Sequence, residues 1–295
     1  MQSRCASQRR ARPALGTLVE VAASGRAGRL AAAVADAFAA LERTSRLMSF
    51  HDPASELAEL NREAATRPVR VSADTFAVLE AALEFARASD GAFDPCVAPA
   101  LVRLGFLPAG TAAPSASAAR GWQHVRLLGG RRVGFARPLA LDLGGIAKGY
   151  AVDQACAALE RHGIRDYVVN AGGDLKVGTR AREVHVRHPA HPGTLVRLGW
   201  IANAALATSA RYYAERDSGT AACHPIIDPA RGAPARYAGS LSVLAPSCMA
   251  ADALTKVLAV GGARAAPVLA ATAAEARVLD AAGRWRRWPA PARAA

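Results

Sequence analysis

The chain has 295 residues and a formal net charge of +13. Its hydrophobic share is 52%, and much of that is alanine. At roughly 150 residues per domain the length makes two domains or one large one, and either can bury a sizeable core. No run reaches the ~18–20 apolar residues of a membrane span, so no integral membrane segment is expected. The arginines form no long block and no aromatic-interleaved motif, so they read as a charged surface and not as a nucleic-acid site.

The opening MQSRCASQRRARPALGT carries arginines with no apolar stretch behind them. It is not expected to act as a signal peptide, and a cytoplasmic location is the expectation. Residues 1–12 read as a flexible tail. LGTLVEVAA (15–23) reads as a strand. Residues 26–47 place Leu30, Val34, Phe38 and Leu41 at helical spacing. MSFHDPASELAELNR turns at Asp52-Pro53 and continues as a short helix with Ser55 as its cap. Residues 72–91 form a second amphipathic helix, with Ser72 at its start and Gly91 just past its end.

GAFDPCVAPALVRLGF is rich in turn signals, and PAGTAAPSASAARG (108–121) reads as a low-complexity loop. Short strands flank Gly129-Gly130. Residues 139–143 read as a strand, and 147–162 as a helix ended by Gly163. DYVVNAGGDLKVG, REVHVRHP, LVRLGWI and SLSVLAPS supply further strands. CMAADALTKVLAVGG is a helix closed by glycines. The five cysteines (Cys5, Cys96, Cys156, Cys223, Cys248) are scattered with no C-x-x-C pair, and read as reduced, mostly buried thiols. The mixture of helices and hairpin-joined strands predicts an α+β fold in one unit, with two lobes.

Several residues carry chemistry. LALDLGGIAKGYAVD puts Gly144 and Gly145 between an apolar run and a helix start, with Lys148 in the first turn. Glycines and open helix N–H groups suit a phosphate. A tight turn beside a solvated lysine is the other reading. Asp142 is either a ligand-binding carboxylate or a turn cap. Gly172-Gly173 and GAFDP present Asp174 and Asp94 in turns. HPIIDPARG holds His224 and Asp228, a base with its partner or simply a histidine beside a turn aspartate. Asp252, Thr255 and Lys256 fall at i, i+3 and i+4. They make either an ordinary ion pair or, through Asp252 and Thr255, two hard oxygen ligands for Mg²⁺.

The order LGT, MSFHDPASELAELN, GAFDPCVAPALVRLGF, LDLGGIAKGYAVD, VVNAGGD, HPIIDPARGAP and SVLAPSCMAADALTKVL resembles the ApbE-type flavin transferases, the FAD:protein FMN transferases. The similarity runs from about Pro13 to about Gly262. The resemblance implies an ApbE-like α+β fold at residues 13–285, between tails 1–12 and 286–295. Two closely associated lobes with mostly antiparallel strands would hold FAD in their cleft. It further implies Mg²⁺-dependent transfer of FMN from FAD to a Thr or Ser hydroxyl of an acceptor flavoprotein subunit of a redox complex, with release of AMP. FAD would lie near Leu15, His51, Ala92, Phe93, Asp94 and Ile226, and would be contacted by Asp142 and Lys148. Gly145, Asp252 and Thr255 would hold Mg²⁺, and His224 or Asp228 would serve as base.

Three positions depart from the family pattern. Leu15 stands where Met is usual. Pro225 stands where His precedes IIDP, with His224 one place earlier. Lys256 stands where Thr follows the helix aspartate by four residues: either Thr255 at i+3 substitutes for it, or the Lys256 ammonium occupies part of the cation's place and metal dependence is in doubt. Hydrolysis of FAD to FMN and AMP, or FAD carriage without catalysis, are the competing functions.

Overall fold

The alternation read in residues 15–23 is that of a strand buried on one face: Val19, Val21 and Ala23 are buried and the residues between them are less so. The computed structural model of the protein describes residues 5–109, 120–210, 216–217 and 222–288. In chain order it contains β1 (Cys5–Ala14), β2 (Thr17–Arg26), α1 (Ala27–Met48), α2 (Glu56–Glu63), β3 (Val69–Arg70), α3 (Ala73–Ala88), α4 (Ala98–Arg103), β4 (Val125–Leu128) and β5 (Arg132–Phe135). Next come α5 (Ala147–Arg161), β6 (Asp166–Ala171), β7 (Asp174–Val177), β8 (Arg182–Arg187), β9 (Leu195–Ile201), β10 (Ala204–Ala210), β11 (Arg216–Asp217), β12 (Ala222–Cys223), β13 (Ile227–Asp228) and β14 (Ala233–Pro234). The last are β15 (Ser240–Ala245), α6 (Cys248–Gly261), α7 (Ala266–Ala271), β16 (Glu275–Leu279) and β17 (Trp285–Trp288).

The main sheet has eight strands in the order β1-β2-β6-β7-β10-β15-β16-β17. Every neighbouring pair in it is antiparallel. The segment between β2 and β6 carries α1 to α5 and a small sheet ordered β3-β5-β4. One core joins α1 and α5 to β2 and β6, through Val21, Phe38, Leu41, Leu159 and Val169. A second gathers α2, α3, β15, α6 and residues 139–143. The α+β reading with mostly antiparallel strands is therefore the observed architecture.

Four expectations change. Residues 5–12 are not a tail: β1 pairs with β2 along its whole length. Main-chain hydrogen bonds need no apolar side chains, so an edge strand written with Arg9, Arg10 and Arg12 gives no hydrophobic signal, and such charges discourage edge-to-edge pairing. At the other end, β17 continues through Trp288. Residues 1–4, 289–295 and most of the 108–121 loop lie outside the described residues.

Residues 139–143 are buried but not a strand. The Leu141 N–H donates to Asn61 Oδ1 at 2.7 Å, and Asn61 Nδ2 donates to the Leu141 carbonyl at 3.0 Å. A side-chain amide thus replaces the neighbouring strand that the backbone would otherwise need. Finally, Cys248–Ala271 is helical, long and apolar enough to cross a membrane by length and composition. In the fold more than half of that stretch is buried, and α6 supplies much of the second core.

Candidate active site

A cavity of about 610 Å³ opens where the two cores meet. Its walls mix apolar side chains with many polar and charged ones, among them His51, Asp142, Lys148, Ser209 and Lys256. Leu15, His51, Ala92, Phe93, Asp94, Asp142, Gly145, Lys148, His224 and Ile226 all line it. Asp228, Asp252 and Thr255 do not. Leu15 and Gly16 form the two-residue β1–β2 turn, both with positive φ (55° and 72°). A leucine there costs about 1–2 kcal/mol in backbone strain, and the turn sets its side chain at the cavity.

The floor is set by α5 and α6, which cap each other. Asp153 of α5 accepts the Cys248 and Met249 N–H groups at 3.0 and 2.9 Å, and its Oδ1 also takes Lys176 Nζ at 2.8 Å. Asp252 of α6 accepts the Gly149 N–H at 3.1 Å through Oδ2. Each carboxylate meets orphan N–H groups and the positive end of the other helix's dipole. This exchange leaves no local sign in the sequence, because the partners lie 95 to 103 residues apart.

The close approach depends on Gly149. A Cβ there would stand 2.3 Å from the Cys248 carbonyl oxygen and 2.8 Å from Met249 Cα. Both obstacles are backbone, so the helices would have to part. Gly149→Ala is expected to destabilise the fold by about 3 kcal/mol, the upper part of the overpacking range. Urea unfolding checks this, and a change within error would show that the helices have room to separate.

Lys148 is answered by Asp174, 2.8 Å from its Nζ. Burial pulls the Lys148 pKa down, but the Asp174 and Asp252 carboxylates outweigh it and hold the ammonium above the ordinary lysine value. Lys256 Nζ donates to Asp252 Oδ1 and, at 3.1 Å, to the Asp252 carbonyl. Two lysines and two buried aspartates therefore alternate beneath the cavity. Gly144 and Gly145 admit this arrangement. A Cβ at Gly144 would crowd the Asp142 carboxylate at 3.2 Å, and one at Gly145 would touch Phe93 and Lys256 at 3.4 and 3.6 Å.

His224 is buried, with its ring edge-on to Tyr237 at 5.1 Å. Its Nδ1 accepts the Ile226 N–H at 3.3 Å, a long contact. That leaves Nε2 as the donor to the Ala235 carbonyl at 3.0 Å. Asp228 accepts the Ala230 N–H at 3.0 Å within its own turn. Asp94 lines the cavity, but its carboxylate is held by the N–H groups of Cys96, Gly121 and Trp122.

Burial holds the Asp142 carboxyl above the usual carboxylate range, against the Gly144 N–H and the charges of His51 and Lys256. A raised folded pKa contributes stability that is complete below the unfolded value, ~3.9, and lost as pH rises through the folded value. Asp142→Asn is thus expected to gain stability over the parent as pH rises from about 4 to neutrality. Thermal unfolding across that range checks it, and an advantage that shrinks with rising pH contradicts it.

The expected Mg²⁺ donor set does not fit a divalent cation here. Asp252 and Thr255 are 0% exposed, and both Asp252 carboxylate oxygens are occupied. The Thr255 hydroxyl donates to the Asp252 carbonyl and accepts from Ser209 Oγ, each at 2.8 Å. Among the described residues no three His, Cys, Asp or Glu side chains converge as a metal site.

Residues 15–279 match the model of the ApbE family. A FAD:protein FMN transferase of Treponema pallidum is 32% identical over 278 residues, covering 83% of this chain and 76% of that protein. One from Vibrio cholerae is 30% identical over 239 residues, covering 75% and 71%. The crystal structure of an ApbE protein from Thermotoga maritima superposes with a TM-score of 0.82 at 26% identity, covering 96% of this chain and 97% of that one. The flavin transferase ApbE from Vibrio cholerae gives 0.81 at 26% identity, covering 98% of each.

Proposed function

The chain belongs to the ApbE family, and from that premise we propose that it moves the FMN half of FAD onto a Thr or Ser hydroxyl of an acceptor flavoprotein, releasing AMP. The observation that carries this reading is the pair of ammonium groups, Lys148 and Lys256, on the wall of a cavity whose other side carries apolar groups at Leu15, Phe93 and Ile226. The FAD pyrophosphate suits the two ammoniums, and its flavin suits the apolar wall at Leu15, Phe93 and Ile226. Lysine serves as a compact point charge beside phosphate.

In the proposed step the acceptor hydroxyl oxygen bonds to the flavin-side phosphorus. The bridging P–O bond breaks, and its electron pair leaves with AMP. Lys148 stabilises charge that grows on the phosphate oxygens. His224 takes the hydroxyl proton on Nδ1, while its Nε2–H stays fixed on Ala235. Asp228 has no part in this step. The magnesium dependence that the resemblance implies has no support from these residues, because the oxygens meant to hold the metal are already engaged.

Incubating the purified protein with FAD and a threonine-bearing acceptor flavoprotein tests the reading. AMP together with covalent flavin on the acceptor supports transfer. AMP with free FMN means a hydrolase, and bound FAD without AMP means a carrier.

A further inference from the structure

We infer that the ammonium of Lys256 is the built-in cation of this site, seated where a divalent metal would otherwise bind, so that FAD cleavage here needs no metal. The inference rests on the flavin-transfer reading above and adds to it the identity of the second positive charge.

Three observations meet on this lysine. First, its place is the cavity wall. The Lys256 side chain is 22% exposed, while the Asp252 carboxylate that it covers is fully buried. A cation arriving from the cavity meets the ammonium before it meets the carboxylate. Second, the oxygens behind it are already engaged. Asp252 Oδ2 serves the Gly149 N–H, and its carbonyl receives both Lys256 Nζ and the Thr255 hydroxyl. Thr255 points back to Ser209 and offers the cavity nothing. Mg²⁺ demands near-octahedral oxygen ligation, and reaching Asp252 would require expelling a paired ammonium from a buried anion.

Third, the ammonium has capacity left. It carries three N–H donors, and Asp252 takes two of them. The third is uncommitted among the described residues. Lys148 sits on Asp174 in the same way, 2.8 Å away. The two ammoniums lie near the same turn: a Cβ at Gly145 would stand 3.6 Å from the Lys256 stem, and Lys148 follows Gly145 by three residues. A pyrophosphate over that turn gains a point charge from each. On cleavage Lys256 gives its third N–H to a phosphate oxygen of departing AMP, which carries away the electron pair of the broken P–O bond, so the transfer balances without another cation.

The test uses the full chain, with FAD turnover in excess EDTA or in Mg²⁺, and Mn²⁺ binding read by electron paramagnetic resonance without nucleotide. The parent is expected to release AMP equally in EDTA and in Mg²⁺, and to bind no Mn²⁺. Lys256→Thr is expected to lose about 10²–10³-fold in EDTA, to recover with Mg²⁺, and to bind Mn²⁺. Turnover by the parent that disappears in EDTA and returns with Mg²⁺ overturns the inference. So does Mn²⁺ bound by the parent but not by Asp252→Asn, or bound by neither the parent nor Lys256→Thr. Absence of AMP under every condition defeats the flavin-transfer reading instead. The Mn²⁺ comparison of parent and Lys256→Thr then decides, by itself, whether the lysine fills a metal seat.

Discussion

His224→Gln is expected to lower the rate of AMP release from FAD by about 10²–10⁴-fold, the usual worth of a positioned general base. The ring has one nitrogen with a fixed proton, Nε2 on the Ala235 carbonyl at 3.0 Å. The other, Nδ1, accepts the Ile226 N–H over a long 3.3 Å. That is the arrangement in which imidazole accepts a proton on one side while a carbonyl steadies the imidazolium on the other. Glutamine can still donate an amide N–H to Ala235 and lie against Tyr237, but it cannot take a proton near neutral pH. The loss should therefore fall on kcat, with the KM for FAD little changed and the acid limb of the pH–rate profile flattened. A kcat close to the parent's, with only KM or thermal stability altered, would show that His224 merely positions Pro225 and Ile226.

Asp252→Asn is the second large effect. The substitution keeps the size of the side chain and one oxygen for the Gly149 N–H, but removes a charge from a cluster of two lysines and two aspartates. Lys148 and Lys256 would then be left with Asp174, and Lys256 also with Asp142. AMP release is expected to drop about 10²–10³-fold, because the ammoniums are no longer held where charge develops. Stability is expected to fall by about 2 kcal/mol, within the range for stranding a partly buried hydrogen-bonding group. The partial exposure of Lys256 keeps the cost below that of a sealed ion pair. Quantifying AMP release alongside urea unfolding separates the two effects. Turnover and stability both equal to the parent's would leave the buried carboxylate without a role.

Helices were the legible part. The spacing of Leu30, Val34, Phe38 and Leu41 follows α1, and Ser55 and Ser72 cap α2 and α3 by accepting the Ala58 and Thr75 N–H groups. These are local facts: a periodicity and a side chain reaching three residues ahead. Leu15, Phe93, Asp142 and Lys148 were found through the order of motifs, and the cavity gathers them. Strand β1 stayed hidden because an edge strand is held by its main chain. Residues 139–143 were misread because their apolar run is satisfied by Asn61, 80 residues earlier.

Thr255 and Lys256 show where reading a helix from sequence stops. They are neighbours in the chain, but ~100° apart around an α-helix. The sequence places both near the face of Asp252 and cannot choose between them. Packing chooses: α6 lies against β10, so Thr255 meets Ser209 while Lys256 reaches the cavity.

The sequence by itself determined the helices, the alternation of the central strands, the family and the inventory of charged groups near a glycine turn. Those depend on neighbours within a turn or two, or on motif order, and both are written along the chain. Only the tertiary structure decided which charges pair, that α5 and α6 cap one another, and that a lysine covers the aspartate expected to hold a metal. Each of these joins residues 23 to 103 positions apart, except the Lys256–Asp252 pair, whose meaning depends on which side of α6 faces the cavity. Electrostatic energy follows distance in space and burial, and a linear order of residues specifies neither.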